Sequence, residues 1–224
     1  MPYYENPAFL AEQIRKWHSW DEDIQSWVKA IIVDDGSPNF AAASVVKSFN
    51  GLPFPIDVYR LEVDVRWNWI AARNIGMHHA TGWCVLTDMD HVIPETTMDC
   101  LIRGHHESNT IYRFSRTERG DKAIHPHPNS WFMTKEMFWE IGGYDEALSG
   151  FYGTDGEYRT RCSGTAPIRI LSNALDRYER MGDASTVKYL RKQPEDAEVK
   201  RIIGRRRKGW RPRTLSFPYH KVQV

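Results

Sequence analysis

Cysteine is scarce in this chain: Cys84, Cys100 and Cys162 are the only three, odd in number and far apart. That excludes a disulfide framework and the close pairs of a cysteine metal site, and it fits a reducing compartment. Long apolar runs are missing too. Nothing is long enough to cross a bilayer, and the N-terminus lacks the layout of a signal peptide, so a cytoplasmic protein with no membrane partner is expected. An excess of one charge is also absent. Thirty Lys and Arg stand against 29 Asp and Glu, a net charge of +1 that favours neither an acidic nor a basic partner for the chain as a whole. There is no internal repeat and no low-complexity linker.

Aromatic residues, by contrast, are abundant: nine Trp, ten Tyr and nine Phe. With 41% hydrophobic and 26% charged residues, 224 residues suffice for one α/β domain with an extension. Asn6-Pro7 reads as a helix cap and first-turn proline, and Leu10, Ile14 and Trp17 follow at helical spacing, which predicts a helix over 7–20. "VKAIIV" (28–33) is a buried strand stopped by the turn chemistry of "DDGSP". Helix 39–49, strand 55–62, helix 68–80 and strand 82–88 follow. Further strands are expected at 110–115 and 130–134, with helices at 135–141 and after Gly153. Strands alternating with helices predict a mostly parallel, Rossmann-like sheet flanked by helices. Composition shifts late: eight of the fourteen residues 200–213 are Lys or Arg. The division expected is a domain over 1–170 and a basic extension over 171–224 that packs on the site or closes it.

The sharpest local signal is "CVLTDMDHV" (84–92), where Asp88 and Asp90 follow a buried strand. Residues i and i+2 of an extended segment point the same way, so the two carboxylates can converge while Met89 turns inward. Unpaired, they would repel and be costly to desolvate. A divalent cation removes both problems, and hard oxygen ligands suit Mg²⁺ or Mn²⁺ together with a substrate diphosphate. The competing reading makes one aspartate a helix cap and leaves the other in solvent; the position after a buried strand favours the cation.

Four segments, "MPYYENP", "IIVDDGSP", "AARNIGMHHATGWCVLTDMDHVIPE" and "GGYDEALSGFYGTDGEYRTR", occur in an order and spacing that resemble the family 2 glycosyltransferases of GT-A fold over about residues 1–165. The last segment also resembles the acceptor-side motif of galactosyltransferases and N-acetylgalactosaminyltransferases. The resemblance implies a nucleotide-sugar donor, usually a UDP-sugar, a divalent metal and inverting transfer to an acceptor hydroxyl. It places Pro2 and Tyr3 at the nucleobase. Asp35 becomes a uracil or ribose contact, with a plain turn aspartate as the equal alternative. Arg73 and Asn74 fall near the pyrophosphate, Asp88 at ribose and metal, and Asp90 as the main metal ligand. Asp155 aligns with the general base, although a helix-start acid is its other reading. Thr154 replaces the glutamate that precedes this base in the family. Glu157 is a spare acid on what reads as a solvated helix face. Gly142 and Gly143 end the preceding helix, and Gly143 lines the acceptor site. Trp131 is either an acceptor platform or core. For a third metal ligand His220 ranks above His125 and His127. The family has a full apolar strand before "PYY", so either the sheet lacks most of that strand or the sequence starts late.

The basic run raises the acceptor question. Arg205, Arg206, Arg207 and Lys208, with Trp210 among them, suit phosphates and a stacked base. A phage-type DNA-modifying glycosyltransferase acting on a hydroxymethylated, flipped base is one reading. A saccharide, lipid or protein acceptor is the other, with the run as a solvated face. Two classes compete with a glycosyltransferase: a nucleotidyltransferase, and a non-catalytic nucleic-acid-binding protein on a degenerate transferase fold.

Overall fold

The computed structural model describes residues 1–118, 122–151, 153–177 and 195–224. The chain opens with a two-residue strand, β1 (Pro2–Tyr3), and helix α1 (Pro7–His18). The Asn6 side chain accepts from the Phe9 N–H at 3.2 Å and Pro7 opens the first turn, so α1 starts where the cap sequence predicts. A short α2 (Glu22–Ser26) leads into β2 (Ala30–Asp34), α3 (Ala42–Lys47), β3 (Ile56–Leu61), α4 (Trp69–His79) and β4 (Trp83–Leu86). Apart from α2, which the sequence did not announce, these match the expected alternation, with most ends moved inward by one to three residues, the start of α1 unmoved and β2 ending one residue later, at Asp34.

In this half the sheet is parallel. β1 pairs Val33 and Asp34 of β2, and β2 pairs β3 along its length. The C-terminal strand β10 (Tyr219–Val222) adds to β3 in antiparallel sense, giving the order β1-β2-β3-β10.

The second half departs from a mostly parallel sheet. After β5 (His91–Val92) and α5 (Glu95–Arg103) come β6 (Ile111–Glu118), β7 (Lys122–Ile124) and β8 (Trp131–Thr134). β7 and β8 each run antiparallel to β6. α6 (Lys135–Ile141), a 3-10 turn (Glu146–Leu148), α7 (Asp155–Thr165) and β9 (Ile168–Arg177) follow. β9 lies parallel to β6, and the second sheet has the order β4-β8-β6-β9-β5 with β7 on the side of β6. β9 runs straight across residue 170, where the sequence suggested a boundary. Helix α8 (Glu195–Gly204) precedes the basic run; residues 178–194 of the expected extension lie outside the described ones.

Helices cover both faces. α1 contributes Phe9, Leu10, Ile14 and Trp17 to one core, shared with β2 and with Met98 and Leu101 of α5. α4 covers the other face, where Ala71, Ala72 and Ile75 meet Val33, Tyr59 and Leu61. Met89 is buried, as the alternation around Asp88 and Asp90 requires.

Candidate active site

Four segments meet beyond the carboxyl ends of β2 and β4, the usual binding edge of an open α/β sheet. Asp34, last in β2, is consumed locally: its carboxylate accepts from the Ser37 N–H and the Ala42 N–H, each at 2.8 Å, which ties the loop to the start of α3. Asp35 is placed differently. Its N–H donates to the Tyr3 carbonyl at 2.8 Å, and its Oδ2 accepts from the Asn68 N–H at 2.9 Å. Its Oδ1 is buried without a partner, as are both side-chain amide atoms of Asn68. Burial raises the Asp35 carboxyl well above its ordinary range, and the nearby Asp64 and Asp34 add to the rise against the Asn68 N–H. Tyr3 is buried in the floor and its hydroxyl donates to the Phe40 carbonyl; Pro2 holds β1 against Val33.

Arg73 ties two walls together. Its Nη2 donates to Asp88 Oδ1 at 2.6 Å and its Nη1 to the Asn129 carbonyl at 2.6 Å, while the Nε–H has no partner. Arg73 is sealed at 3% exposure. Burial would raise the Asp88 carboxyl, but Arg73, and after it His127, outweigh that and hold it below its usual value. Asp90 gives Oδ1 to His91 Nδ1 at 2.6 Å, while His91 Nε2 lies 3.0 Å from the Arg116 guanidinium. A guanidinium only donates, so the His91 proton is on Nδ1 and points at Asp90.

His127 sits above this pair, its Nε2 3.6 Å from Asp88 Oδ2. Burial pushes it down to about 4 against the pull of Asp88. Its Nδ1 is 3.3 Å from both the Asn129 N–H and Ser130 Oγ. Nδ1 accepts from the Asn129 N–H and so carries no proton, the Ser130 hydroxyl can donate to it as well, and the proton of the neutral ring is on Nε2, facing Asp88.

The Asn129 side chain completes the arrangement by donating to Asp155 Oδ1 at 2.7 Å. Asp155 opens α7. Burial raises its carboxyl, the Asn129 bond opposes that, and Asp88 raises it further. One line of contacts, Asp88 to Arg73 to Asn129 to Asp155, thus joins the predicted cation ligand to the predicted base.

Several other expected residues serve the scaffold. Asn74 donates to the Tyr144 carbonyl (2.8 Å) and Glu146 Oε1 (2.9 Å) and accepts from the Tyr144 N–H (2.8 Å), so it has nothing left for a diphosphate. Gly143 is buried at φ +65°, and a Cβ there would lie 2.9 Å from Asn74 Oδ1, so the glycine permits close packing and does not line a site. Trp131 is wholly buried, edge-on to Tyr158, and belongs to the core. Glu157 is no free acid: it pairs with Arg161 at 2.8 Å and Arg206 at 2.5 Å. Thr154 is buried beside Asp155 with its Oγ1 unpartnered.

Two expectations about the C-terminal segment change as well. His220 is on β10, exposed, with Glu62 3.3 Å away, and β2 and β3 lie between β10 and the β1 edge of the sheet. The segment returns as an edge strand, so the histidine brought to the aspartates is His127. His125 stands nearby in sequence only through its carbonyl, which accepts from Arg116. Within the basic run Arg206 is a half-buried tie, 2.7 Å from Asp145 and stacked 3.6 Å from the Trp210 ring. Arg205, Arg207 and Lys208 are exposed. Asn68 and Asn129 have no signal in the sequence beyond their place beside recognised motifs.

The residues fit a divalent cation in one respect. Asp88 and Asp90 each spend Oδ1 inside the protein, on Arg73 and His91, and Asp90 Oδ2 has no protein partner among the described residues. No three His, Cys, Asp or Glu side chains among the described residues enclose a cation by themselves. A hard cation that keeps waters and binds substrate phosphates needs only one or two carboxylates.

The helix-flanked α/β sheet is that of the GT-A glycosyltransferases. Residues 1–164 match the profile of glycosyl transferase family 2, and the chain belongs to that family. No curated protein matches it. Among solved structures it is similar to S. aureus TarS 1–349 in complex with UDP-GlcNAc, at 17% identity and TM-score 0.69, covering 90% of this chain and 63% of that one. The mannosyltransferase PcManGT from Pyrobaculum calidifontis, in complex with GDP-Man and Mn²⁺, gives 13% identity and TM-score 0.59, with 82% of this chain and 56% of that one covered. GalNAc-T7 with UDP, GalNAc and Mn²⁺ gives 14% and 0.52, covering 79% and 42%. This chain therefore spans less than two thirds of each of these proteins, and at such identities the likeness is one of fold.

Proposed function

We propose that this glycosyltransferase moves a sugar from a nucleotide-sugar, of the UDP-sugar class, to an acceptor hydroxyl with inversion at C1. Asp155 is the general base; Asp88 and Asp90, with His127 beside them, hold Mn²⁺ or Mg²⁺. The observation that carries this reading is the Asp88–Arg73–Asn129–Asp155 line of contacts. It fixes a carboxylate of raised pKa at a set position from a carboxylate of lowered pKa. The first is suited to taking a proton, the second to staying charged.

Asp35 Oδ1 and the Asn68 amide are the buried polar atoms left to read a nucleobase edge, one accepting and one donating. The acceptor O–H gives its proton to Asp155 as its oxygen bonds C1 of the sugar. The C1–O bond to the diphosphate breaks on the opposite face, and the diphosphate leaves with the electron pair. Arg73 holds Asp88 in place throughout. A bound Mn²⁺ or Mg²⁺ would supply neutralising charge for the leaving diphosphate. The Mn²⁺ and nucleotide ligands of the structural neighbours agree with this chemistry.

Product mass spectrometry with a panel of nucleotide-sugars and Mn²⁺ tests the reading. A glycosyl adduct with inverted anomeric signal by NMR, lost in Asp155→Asn, supports it. A nucleotide adduct would make the protein a nucleotidyltransferase, and no adduct with any donor would leave a binding protein.

For the acceptor, duplex DNA is the reading we test first, with a saccharide, lipid or protein as the alternative. Arg206 binds Glu157 in the first turn of α7, and so sets the exposed Arg205, Arg207 and Lys208 beside the end of the helix that carries Asp155. We read 171–224 as an extension that closes on residues 1–170. Replacing Arg205, Arg207 and Lys208 by alanine, with Arg206 kept, should weaken DNA binding and flatten its salt dependence. Unchanged binding, or none by the parent, removes DNA as the acceptor.

A further inference from the structure

The segment "HPHPN" (125–129), between β7 and β8, forms neither helix nor strand, so its backbone groups need partners from elsewhere. Pro126 and Pro128 fix two of its backbone angles. Arginines supply the donors. The His125 carbonyl accepts from Arg116 Nε at 2.8 Å, and the Pro126 and His127 carbonyls accept from Arg113 Nη2 at 3.3 and 3.0 Å. The Asn129 carbonyl accepts from Arg73 Nη1 at 2.6 Å. An irregular loop is thereby held in one shape, and Asn129 is its last residue.

Both backbone groups of Asn129 are tied to the surroundings of Asp88. Its N–H donates to His127 Nδ1 at 3.3 Å, and the other ring nitrogen of His127 lies 3.6 Å from Asp88 Oδ2. Its carbonyl is on Arg73, whose Nη2 donates to Asp88 Oδ1 at 2.6 Å. The side chain, 8% exposed, leaves in another direction and donates from Nδ2 to Asp155 Oδ1 at 2.7 Å. Asn74 serves as the contrast, since all its bonds go to the "GGYDE" loop. Asn129 spends its backbone on one acid of the cleft and its side chain on the other.

The bond has a chemical consequence for Asp155. The two oxygens of a free carboxylate are equally basic. A donor on one of them lowers its basicity and leaves the other to take a proton. Asp155 is half-buried, and its Oδ2 has no protein partner among the described residues. The groups that act on this carboxyl come from four places. Burial raises it and so does Asp88 across the cleft, while Asn129, then Arg73 and then Arg159 one turn along α7 lower it. Asn129 is the one of these that bonds it directly.

We propose that Asn129 is the positioning residue of the general base: its amide holds Asp155 Oδ1 and leaves Oδ2 to take the acceptor's proton, while its backbone locks that carboxylate to Arg73 and His127 beside Asp88. The proposal rests on the reading of Asp155 as the base and adds the residue that aims it. Asn129 itself touches neither the departing diphosphate nor the sugar in this role. It acts through the carboxylate, and the distance from base to donor site is set by the rigid segment that carries it.

Carboxyl ¹³C titration of the 224-residue protein, with Asp155 assigned by the loss of its signal in Asp155→Asn, needs no donor, acceptor or metal. The Asp155 pKa should rise in Asn129→Ala, which loses the donor. It should rise further in Asn129→Asp, which keeps the shape of asparagine but sets one carboxylate against another. A side chain that only filled space would give no such order. With the donor and acceptor found by product screening, the pH limb of kcat should move up in the same order. At pH 7 kcat should fall about tenfold or more in Asn129→Ala, with KM for the donor unchanged. An Asp155 titration unmoved in both variants overturns the proposal, as does a parent kcat in Asn129→Ala or a loss carried by KM. Transfer that survives in Asp155→Asn overturns the base reading and this proposal with it. Transfer lost in Asp155→Asn but intact in Asn129→Ala overturns this proposal alone.

Discussion

Asp155 and Asp35 are aspartates that the fold holds at a disadvantage when charged, and both face the cleft. For Asp155 the folded-state pKa lies above the ordinary 3.8, burial being the largest cause. The folded protein then holds that proton more tightly than the unfolded chain. Its contribution to stability is complete below about pH 4 and is lost as pH rises through the folded value. Asp155→Asn, which removes the buried charge, should raise Tm by about 2–4 °C at pH 7.5 and by little at pH 4, while abolishing transfer. The wild-type rate should rise with pH on a limb above the normal aspartate range. A limb at 4 or below, or a variant no more stable at pH 7.5 than at pH 4, would contradict the assignment.

Arg73 has the opposite effect on its partner. Asp88 is lowered, so the stability it carries is present above the unfolded pKa and lost as pH falls through the folded one. Arg73→Ala leaves that carboxylate without its hydrogen-bonded partner. Because the Asp88 side chain is 29% exposed, the cost is set at the lower end for a broken buried pair, about 2–3 kcal/mol. Arg73→Lys should restore little, since a single ammonium cannot reach both Asp88 and the Asn129 carbonyl in that geometry. Denaturant melts of the two variants at pH 7 check this; a lysine variant as stable as wild type would refute it.

At the scale of elements α4 is the hub. Arg73 and Asn74 are neighbours in sequence, yet the first points to β4 and the loop before β8, and the second to the segment after α6. The sequence pattern marked them as one motif, and nothing in it separates a cleft residue from a staple. Burial decides, because Asn74 is enclosed and has its bonds filled. The element periods were legible over α1, β2, β3, α4 and β4, where apolar spacing and caps agree. β5, β7 and β10 were not, since strands of two to four residues carry too little pattern. His220 was misplaced for that reason: "YHKV" is too short to announce an edge strand.

The second staple is Glu146. Its carboxylate accepts from Asn74 Nδ2, from the Leu215 and Ser216 N–H groups at 2.8 and 2.7 Å, and from Ser216 Oγ. Asp145 meanwhile accepts from Arg206 and from the Arg213 N–H. These bonds fasten the segment after α8 across the "GGYDE" loop. Glu146→Gln turns one acceptor into a donor facing donors, at a cost of about 2–3 kcal/mol. Tryptic cleavage between 205 and 213 should quicken several-fold. Cleavage at the parent rate would show that the fastening lies elsewhere.

For the molecule as a whole the four-stranded sheet is closed on its outer side by β10 alone. Tyr219–Val222 pairs Leu61 back to Val58, and the Tyr219 ring stands edge-on to Tyr59, itself stacked on His79 at 4.1 Å. The ion pair Lys221–Asp57 at 2.7 Å is exposed on the lysine side and adds little. What β10 supplies is cover for the β3 edge, with Val58, Tyr59 and Leu61 buried beneath it. An uncovered β3 would be a flat apolar edge with unpaired N–H and C=O groups, the usual template for strand pairing between chains. A chain ended at Phe217 should therefore melt lower by about 5 °C or more and form dimers or larger species in proportion to concentration, seen by light scattering after size exclusion. Arg73 bonds Asp88 and Asn129, neither of which pairs with β10, so donor binding per folded molecule should persist. A truncated protein that melts with the parent and keeps the parent's mass at every concentration would show that β3 needs no cover, and that the C-terminal strand is held by the sheet without holding it.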